Sequence, residues 1–285
     1  MKSRTRVSLP SLVSVVDGHG ALEHVAAACE DVLAKHPPSA RSEVSHVMLA
    51  GGAGAGRDIA ALLPNRLGLR DGVTCSLAPG ESGAAALAVL RMADACCRTS
   101  ASARALVACV GSSQRETEEL PPAAAALVSG LDCDVGAPAL KLQRLAAWSH
   151  REETGEMTLT QDGDSFDLEA SRYLVGDDVD LATFLRDHLD VDAKRAAQAA
   201  WAIHASATSA STRVRSPGLE DVRLALALGE DALAASRSAL AAHGQRAASG
   251  LWQALRLAME GDANEIIALG IGPGPTIEAA RLRRA

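Results

Sequence analysis

The residues whose types and spacing could do chemistry gather near the C-terminus. Gly270-Ile-Gly-Pro-Gly-Pro-Thr-Ile-Glu278 follows a short apolar run, residues 266–269, that predicts a buried strand. Its glycines admit φ > 0 and close backbone approach, and its prolines stiffen the loop. A strand running into a rigid glycine loop can build the floor of a pocket, although a tight turn between core strands is the commoner use of such a loop. Glu81 and Ser82 stand just before an Ala-rich run that begins at Gly83, where a first-turn charge and an N-cap belong. His204 closes the run Trp201-Ala-Ile-His204, and an imidazole after three apolar residues is most often a hydrogen-bonded core histidine. The six cysteines, Cys29, Cys75, Cys96, Cys97, Cys109 and Cys133, lack the paired spacing of a zinc site or a disulfide framework, so no metal is expected. Cys96 and Cys97 read as packing residues of a buried helix, and Cys75, Cys109 and Cys133 as small buried hydrophobes.

Composition bounds what these residues can serve. The 285 residues are 48% hydrophobic, enough for one large or two modest domains with a sizeable core. Aromatics make up only 2%, so the core is built from Ala, Leu and Val, its elements pack closely, and no base-stacking platform is available. A net charge of −7 with no basic run along the sequence excludes a nucleic-acid footprint and favours solubility. Residues 1–6 are basic, but the apolar stretch after them is broken by Pro10 and Asp17, too short for a secretory or membrane-spanning segment. A reducing cytoplasm and no membrane association are the expectation. Only four of the 28 basic residues are lysines, which leans towards a bacterium with a GC-rich genome.

Periodicity predicts helices over 21–35, 57–63 (stopped by Pro64) and 83–97, and strands over 47–49, 73–77 and 105–110. The helix over 83–97 is apolar on nearly every face, which places it inside the molecule between layers. Residues 157–160 and 165–168 read as a hairpin turning at Gln161-Asp162-Gly163-Asp164. Helices follow over 181–188 and 194–200, an apolar segment over 201–203, helices over 219–228 and 247–259, and a last strand over 266–269. The rhythm is that of an α/β protein in two similar halves, 1–150 and 151–285.

At this point five blocks carry a resemblance. The C-terminal loop resembles the G-F-G-P-G loop, followed by x-T-x-E, of chalcone and stilbene synthases, the type III polyketide synthases of the thiolase-fold condensing enzymes. Ser45-His-Val-Met-Leu49 is similar to that family's T-H-L-V-F, Leu67-Gly-Leu-Arg70 to its L-G-L-R, and Val89-Leu-Arg-Met-Ala-Asp94 to its V-L-R-L-A-K. Residues 127–137 resemble its L-V-G-Q-A-L-F-G-D-G-A. The blocks keep their order from Ser45 to Glu278, and the resemblance as a whole runs from about Leu9 to Arg283. The resemblance implies an α/β thiolase-like fold, layered αβαβα, with two related halves. It is N-terminally shortened: on the order of 90 residues that carry basic coenzyme A contacts have no counterpart, a large part of an ordinary domain.

That family's chemistry uses a cysteine thiolate at the N-terminus of the buried helix, with a histidine and an asparagine to polarise the thioester and hold the enolate. By gapless counting from the flanking blocks, Gly83 stands at the cysteine's position. Trp201-Ala-Ile-His204 resembles W-x-x-H, so the resemblance places His204 at the catalytic imidazole, with Ala205-Ser206-Ala207 where P-G-G follows. His243-Gly244-Gln245 resembles Y-G-N, which places Gln245 at the asparagine, one methylene longer. Cys133 matches the phenylalanine that gates the pocket, and Gly270, Gly272, Pro273 and Gly274 match its loop. Ser82 has two readings, N-cap or substitute nucleophile with His204 as base, and Glu81 reads as a first-turn charge or a substitute acid.

Two functions follow from the resemblance. The first is a non-catalytic subunit that pairs with an intact condensing enzyme as a hetero-oligomer, a homodimer being the alternative assembly, in polyketide or related specialised-metabolite biosynthesis, with no cofactor of its own. The second is an acyltransferase, decarboxylase or cyclase acting on an acyl thioester of coenzyme A or acyl carrier protein, with His204 as base and no cysteine nucleophile.

Overall fold

A computed structural model describes residues 6–8, 20–51, 53–80, 82–100, 102–110, 123–130, 133, 139–149, 158–162, 165–169, 180–205, 219–243, 247–272 and 276–284. The chain begins with β1 (Arg6–Ser8), α1 (Ala21–Ala34), α2 (Ser39–Glu43), β2 (Val44–Gly51), α3 (Ala53–Arg66) and β3 (Thr74–Pro79). α4 (Gly83–Thr99), β4 (Arg104–Val110) and β5 (Ala123–Ser129) follow. Then come β6 (Ala139–Ser149), the hairpin β7 (Thr158–Asp162) and β8 (Ser165–Glu169), α5 (Leu181–Leu189), α6 (Ala193–Gln198) and β9 (Ala200–Ala205). α7 (Leu219–Ala225), a 3₁₀ turn (Glu230–Leu233), α8 (Ala234–His243), α9 (Ala247–Glu260), β10 (Glu265–Gly272) and β11 (Thr276–Arg284) complete it.

Nine strands pair in the order β3-β2-β4-β5-β1-β6-β11-β10-β9. On one side of the β1/β6 contact, β2 pairs in parallel with β3 and β4, and β5 runs antiparallel to both β4 and β1. On the other side, β9 pairs in parallel with β10, and β11 runs antiparallel to both β10 and β6. The two flanks therefore repeat one scheme, and each sends a helix across between its parallel strands: α4 ahead of β4, α9 ahead of β10.

Strand alternation sorts the side chains into three cores. Met48, Val107, Ala126, Leu140, Ala202, Ala268 and Ala280 turn inwards to a cluster that encloses α4 and α9. Val47, Leu49, Leu106 and Leu127 turn outwards beneath α1 and α3. Trp201, Ile203, Ile267 and Leu269 do so beneath α5 and α6. The layers run αβαβα, and α4 lies in the central one, touching strands of both flanks. Its buried face holds Ala84, Ala85, Ala86, Leu87, Val89, Leu90 and Ala93, so small side chains let the strands approach on both sides. Among the described residues no helix is long and apolar enough to cross a membrane, and no group of three potential metal ligands occurs.

Most predicted elements recur with wider bounds, while α1, α6 and α7 end earlier than expected; β1, α2, β5, β6, the 3₁₀ turn, α8 and β11 were not expected. α3 begins at Ala53 and runs through Pro64 to Arg66. Pro64 lacks an N–H to donate and its ring crowds the carbonyl one turn earlier, but it stands two residues from the helix end, so little helix follows the disturbance. The helix stops where Leu67, Gly68 and Leu69 bond back to Leu63, Asn65 and Pro64, with Gly68 at φ 59°. β5 was not expected because Ala123-Ala-Ala-Ala126 has little strand propensity; burial on both faces overrides it. β11 was missed because its arginines obscure the alternation of Ile277, Ala279 and Arg281 against Glu278, Ala280 and Leu282. The 157–160 and 165–168 hairpin is present as β7 and β8.

Leu90 is fully buried in the central layer and Leu62 is half exposed on α3. Leu90→Ala should cost about 2–5 kcal/mol of unfolding free energy in urea titrations, and Leu62→Ala should stay within about 0.5 kcal/mol.

Candidate functional site

The carboxyl ends of β9 and β10 meet the N-terminus of α4. In β9, Trp201 and Ile203 face outwards, so Ala202 and His204 face the central layer. In β10 the inward row is Ile266, Ala268, Gly270 and Gly272, and parallel pairing sets Gly270 beside His204. Gly80, at φ 138°, leads from β3 towards α4, and its N–H donates to the Gly51 carbonyl at 3.0 Å. Ser82 caps the helix: its Oγ accepts from the Ala85 N–H at 3.3 Å.

Four glycines make the contact possible. A Cβ on Gly270 would stand 2.2–2.5 Å from the Gly83 carbonyl group and the Ala84 nitrogen, so β10 lies backbone to backbone on the first turn of α4. A Cβ on Gly83 would stand 2.9 Å from His204 Cβ, 3.0 Å from its carbonyl oxygen and 3.1 Å from Gly270 Cα. A Cβ on Gly250, in α9, would stand 2.8 Å from His204 Cδ2 and 3.2 Å from Nε2, so the imidazole lies against the bare backbone of that helix. On Gly272 it would stand 3.1 Å from both Ser82 Oγ and Ala84 Cβ.

His204 is partly buried as a residue, but both ring nitrogens are sealed from solvent and have no hydrogen-bond partner among the described residues. Burial pushes its pKa down to about 4. The ring is therefore neutral at pH 7, keeps one N–H to donate, and is a weak base. Near it, Glu278 on β11 stands in register with Gly270 and is buried. It accepts from Arg91 of α4 at 2.7 and 3.2 Å. Burial pushes the Glu278 carboxyl up, and the Arg91 guanidinium opposes that shift. The ion pair ties α4 to β11 about two turns beyond Gly83.

Of the residues singled out from sequence, Ser82, Gly83, His204, Gly270 and Gly272 come together, with Ser82 in its capping role. Cys133 does not join them. Its thiol donates to the Ala103 carbonyl at 3.7 Å, just before β4 and beyond the C-terminus of α4. With 1.5 Å rise per residue over α4, that end lies roughly 20 Å from Gly83. Glu81, Gln245, Pro273 and Gly274 lie outside the described residues. Burial raises the Cys29 and Cys109 thiols and pushes Cys97 up to about 12; Cys96 is partly buried, and Cys75, expected to be buried, lies exposed on β3. Gly250 and the Arg91–Glu278 pair were missed. A glycine inside the helix over 247–259 was the signal for the first, and two charged residues inside the apolar blocks were the signal for the second.

No family profile matches the chain, and no curated protein is similar to it in sequence. Solved structures do match. A variant of CsyB superposes with a TM-score of 0.73 at 15% identity, covering 93% of this chain and 78% of that one. The C-terminal type III polyketide synthase domain of Steely1 from Dictyostelium gives 0.70 at 16%, covering 92% and 76%. A type III pentaketide synthase from Neurospora crassa gives 0.71 at 18%, covering 93% and 79%. The fold is that of the type III polyketide synthases. At these identities the likeness is one of fold, and the expected layered thiolase-like architecture is met.

Gly270→Ala drives a methyl into backbone at 2.2–2.5 Å and should cost at least about 3 kcal/mol, whereas Gly83→Cys, whose contacts with His204 and Gly270 are wider at 2.9–3.1 Å, should cost about 1–3 kcal/mol. Thermal unfolding of both variants checks the order. His204 gives a pH test. The unfolded chain takes up its proton near 6.5 and the folded chain near 4. The stability that depends on a neutral ring is thus complete above pH 6.5 and lost as pH falls towards 4, by about 3 kcal/mol. His204→Gln should flatten the wild-type profile between those limits by that amount.

Proposed function

We propose that this chain is a non-catalytic, chalcone synthase-like subunit that pairs with an active condensing enzyme in polyketide or related specialised-metabolite biosynthesis. The carrying observation is the packing at the mouth of α4. The position that the family resemblance assigns to the acyl-accepting cysteine is Gly83, and the space a side chain would need there is filled by His204 and Gly270. With no atom to take an acyl group and no room for one, a covalent ketide intermediate has no anchor.

Pairing through a continuous sheet is supported by the free edge of β3. Its residues Thr-Cys-Ser-Leu-Ala-Pro carry no charge, Thr74 and Cys75 are exposed, and among the described residues no strand covers its outer side. Edges lacking charge or cover recruit another strand. The partner supplies the thiolate, and this chain stabilises the partner or shapes its pocket.

A second reading, direct acyl transfer on a thioester of coenzyme A or acyl carrier protein, draws on the His204 nitrogens, which have no partner among the described residues. CsyB has been solved with CoA-SH, so a coenzyme A thioester is the natural substrate to offer. A ring with a pKa of about 4 suits hydrogen-bond donation better than proton abstraction at pH 7.

The isolated chain, incubated with acyl- and malonyl-coenzyme A, should keep its unmodified mass and release no product. Co-expression with condensing enzymes encoded beside it should yield a complex that makes polyketide, with His204→Ala sparing that output. An acyl adduct on the lone chain that turns over with malonyl-coenzyme A would overturn the first reading, and loss of output in His204→Ala would favour the second.

A further inference from the structure

At the end of the sheet opposite the α4 mouth, strand register assembles a row of cations that are far apart in sequence. Arg6 of β1 stands directly opposite Lys141 of β6, and Lys141 directly opposite Arg283 of β11. Their neighbours Val7, Leu140 and Leu282 point into the central core, so the three cations project together from the outer face. Lys141 and Arg283 are exposed and Arg6 is partly buried. Directly opposed like charges repel across strands, and here three stand in line. Among the described residues none of the three has an ion-pair partner. The acid that continues the row, Glu265 opposite Arg283, is already engaged by Arg195 at 3.0 Å and Arg281 at 3.7 Å. Arg281 in turn bonds to Asp190, and Arg144 lies opposite Arg281, adding a further cation beside the row.

We propose that this row is a docking surface for a carboxylate-rich protein face, separate from the β3 edge. The strands are about 5 Å apart, so the three charges form a line roughly 10 Å long. That spacing suits acidic side chains on successive helical turns of a partner. A row spread over three strands, with Lys141 and Arg283 exposed, favours a protein surface over a small phosphate ligand, which binds in a concave site. The compensation is electrostatic: a chain of net charge −7 presents on one line three cations that have no ion-pair partner among the described residues, so an acidic partner relieves their repulsion.

The test uses poly-L-glutamate and, separately, inorganic tripolyphosphate as probes for the full chain at low ionic strength. Poly-L-glutamate should bind, weaken as salt rises, and lose at least about tenfold in affinity in the K141E/R283E double variant. The neutral variant K141Q/R283Q should fold, lose affinity, and melt at or above the wild-type temperature because the opposed charges are gone. Absence of poly-L-glutamate binding, binding indifferent to K141E/R283E, a lower melting temperature in K141Q/R283Q, or tighter binding of tripolyphosphate through the same residues would each overturn the proposal. None of these outcomes depends on the chain being catalytically silent.

Discussion

The backbone contact between the first turn of α4 and the end of β10 is the constraint on which the rest of the fold depends. Gly270 rests on Gly83 and Ala84 at a distance no side chain permits, and this brings α4 hard against β9 and β10 while its other faces meet β2 and β4. A helix so placed needs small residues along its length. Ala84, Ala85, Ala86 and Ala93 supply them, in a chain with 2% aromatics. Composition, close approach and the buried central layer are one fact seen at three scales. The Arg91–Glu278 pair then fixes the helix along its axis, because sliding α4 would strand a buried carboxylate without its partner.

The same closeness shapes the electrostatics at the helix mouth. His204 sits where the positive end of the α4 dipole and the loss of solvent both disfavour an imidazolium. Gly250 presents no side chain to the ring, so the Cδ2–Nε2 edge comes close to the backbone of α9. A neutral, buried imidazole whose nitrogens have no partner among the described residues suits hydrogen bonding to a group brought in from outside. It does not suit taking a proton from a nucleophile, and at Gly83 there is no nucleophile to deprotonate.

Much of this was legible in the sequence, and the failures have physical causes. The two motifs at the site, Trp201-Ala-Ile-His204 and the glycine loop, sit at the ends of short apolar runs, and alternation alone sends His204, Gly270 and Gly272 to one face. Cys133 was misplaced because matching letters carry no strand direction. β5 runs antiparallel to β4, so the chain leaving β5 emerges where β4 begins, at the far end of α4 from Gly83. β5 and β11 were hidden by alanines and arginines whose strand state is decided by burial. The cationic row was invisible because Arg6, Lys141 and Arg283 form no run in sequence; only pairing brings them within reach.

The two ends of the sheet are coupled through register. The β10–β11 hairpin closes where Gly272 stands opposite Thr276, and from that closure the pairing runs unbroken to Glu265 opposite Arg283. A slip of one residue turns every side chain of a strand to the other face. In β10 it would press Leu269 or Ile271 into the first turn of α4, where a single methyl already finds backbone within 2.5 Å. It would also bury Glu265, which answers Arg195 and Arg281 on the outside. The glycines at one end and the charges at the other thus exclude the same misfolded alternatives. The register that closes the helix mouth to a side chain also sets Glu265 opposite Arg283 on the outer face.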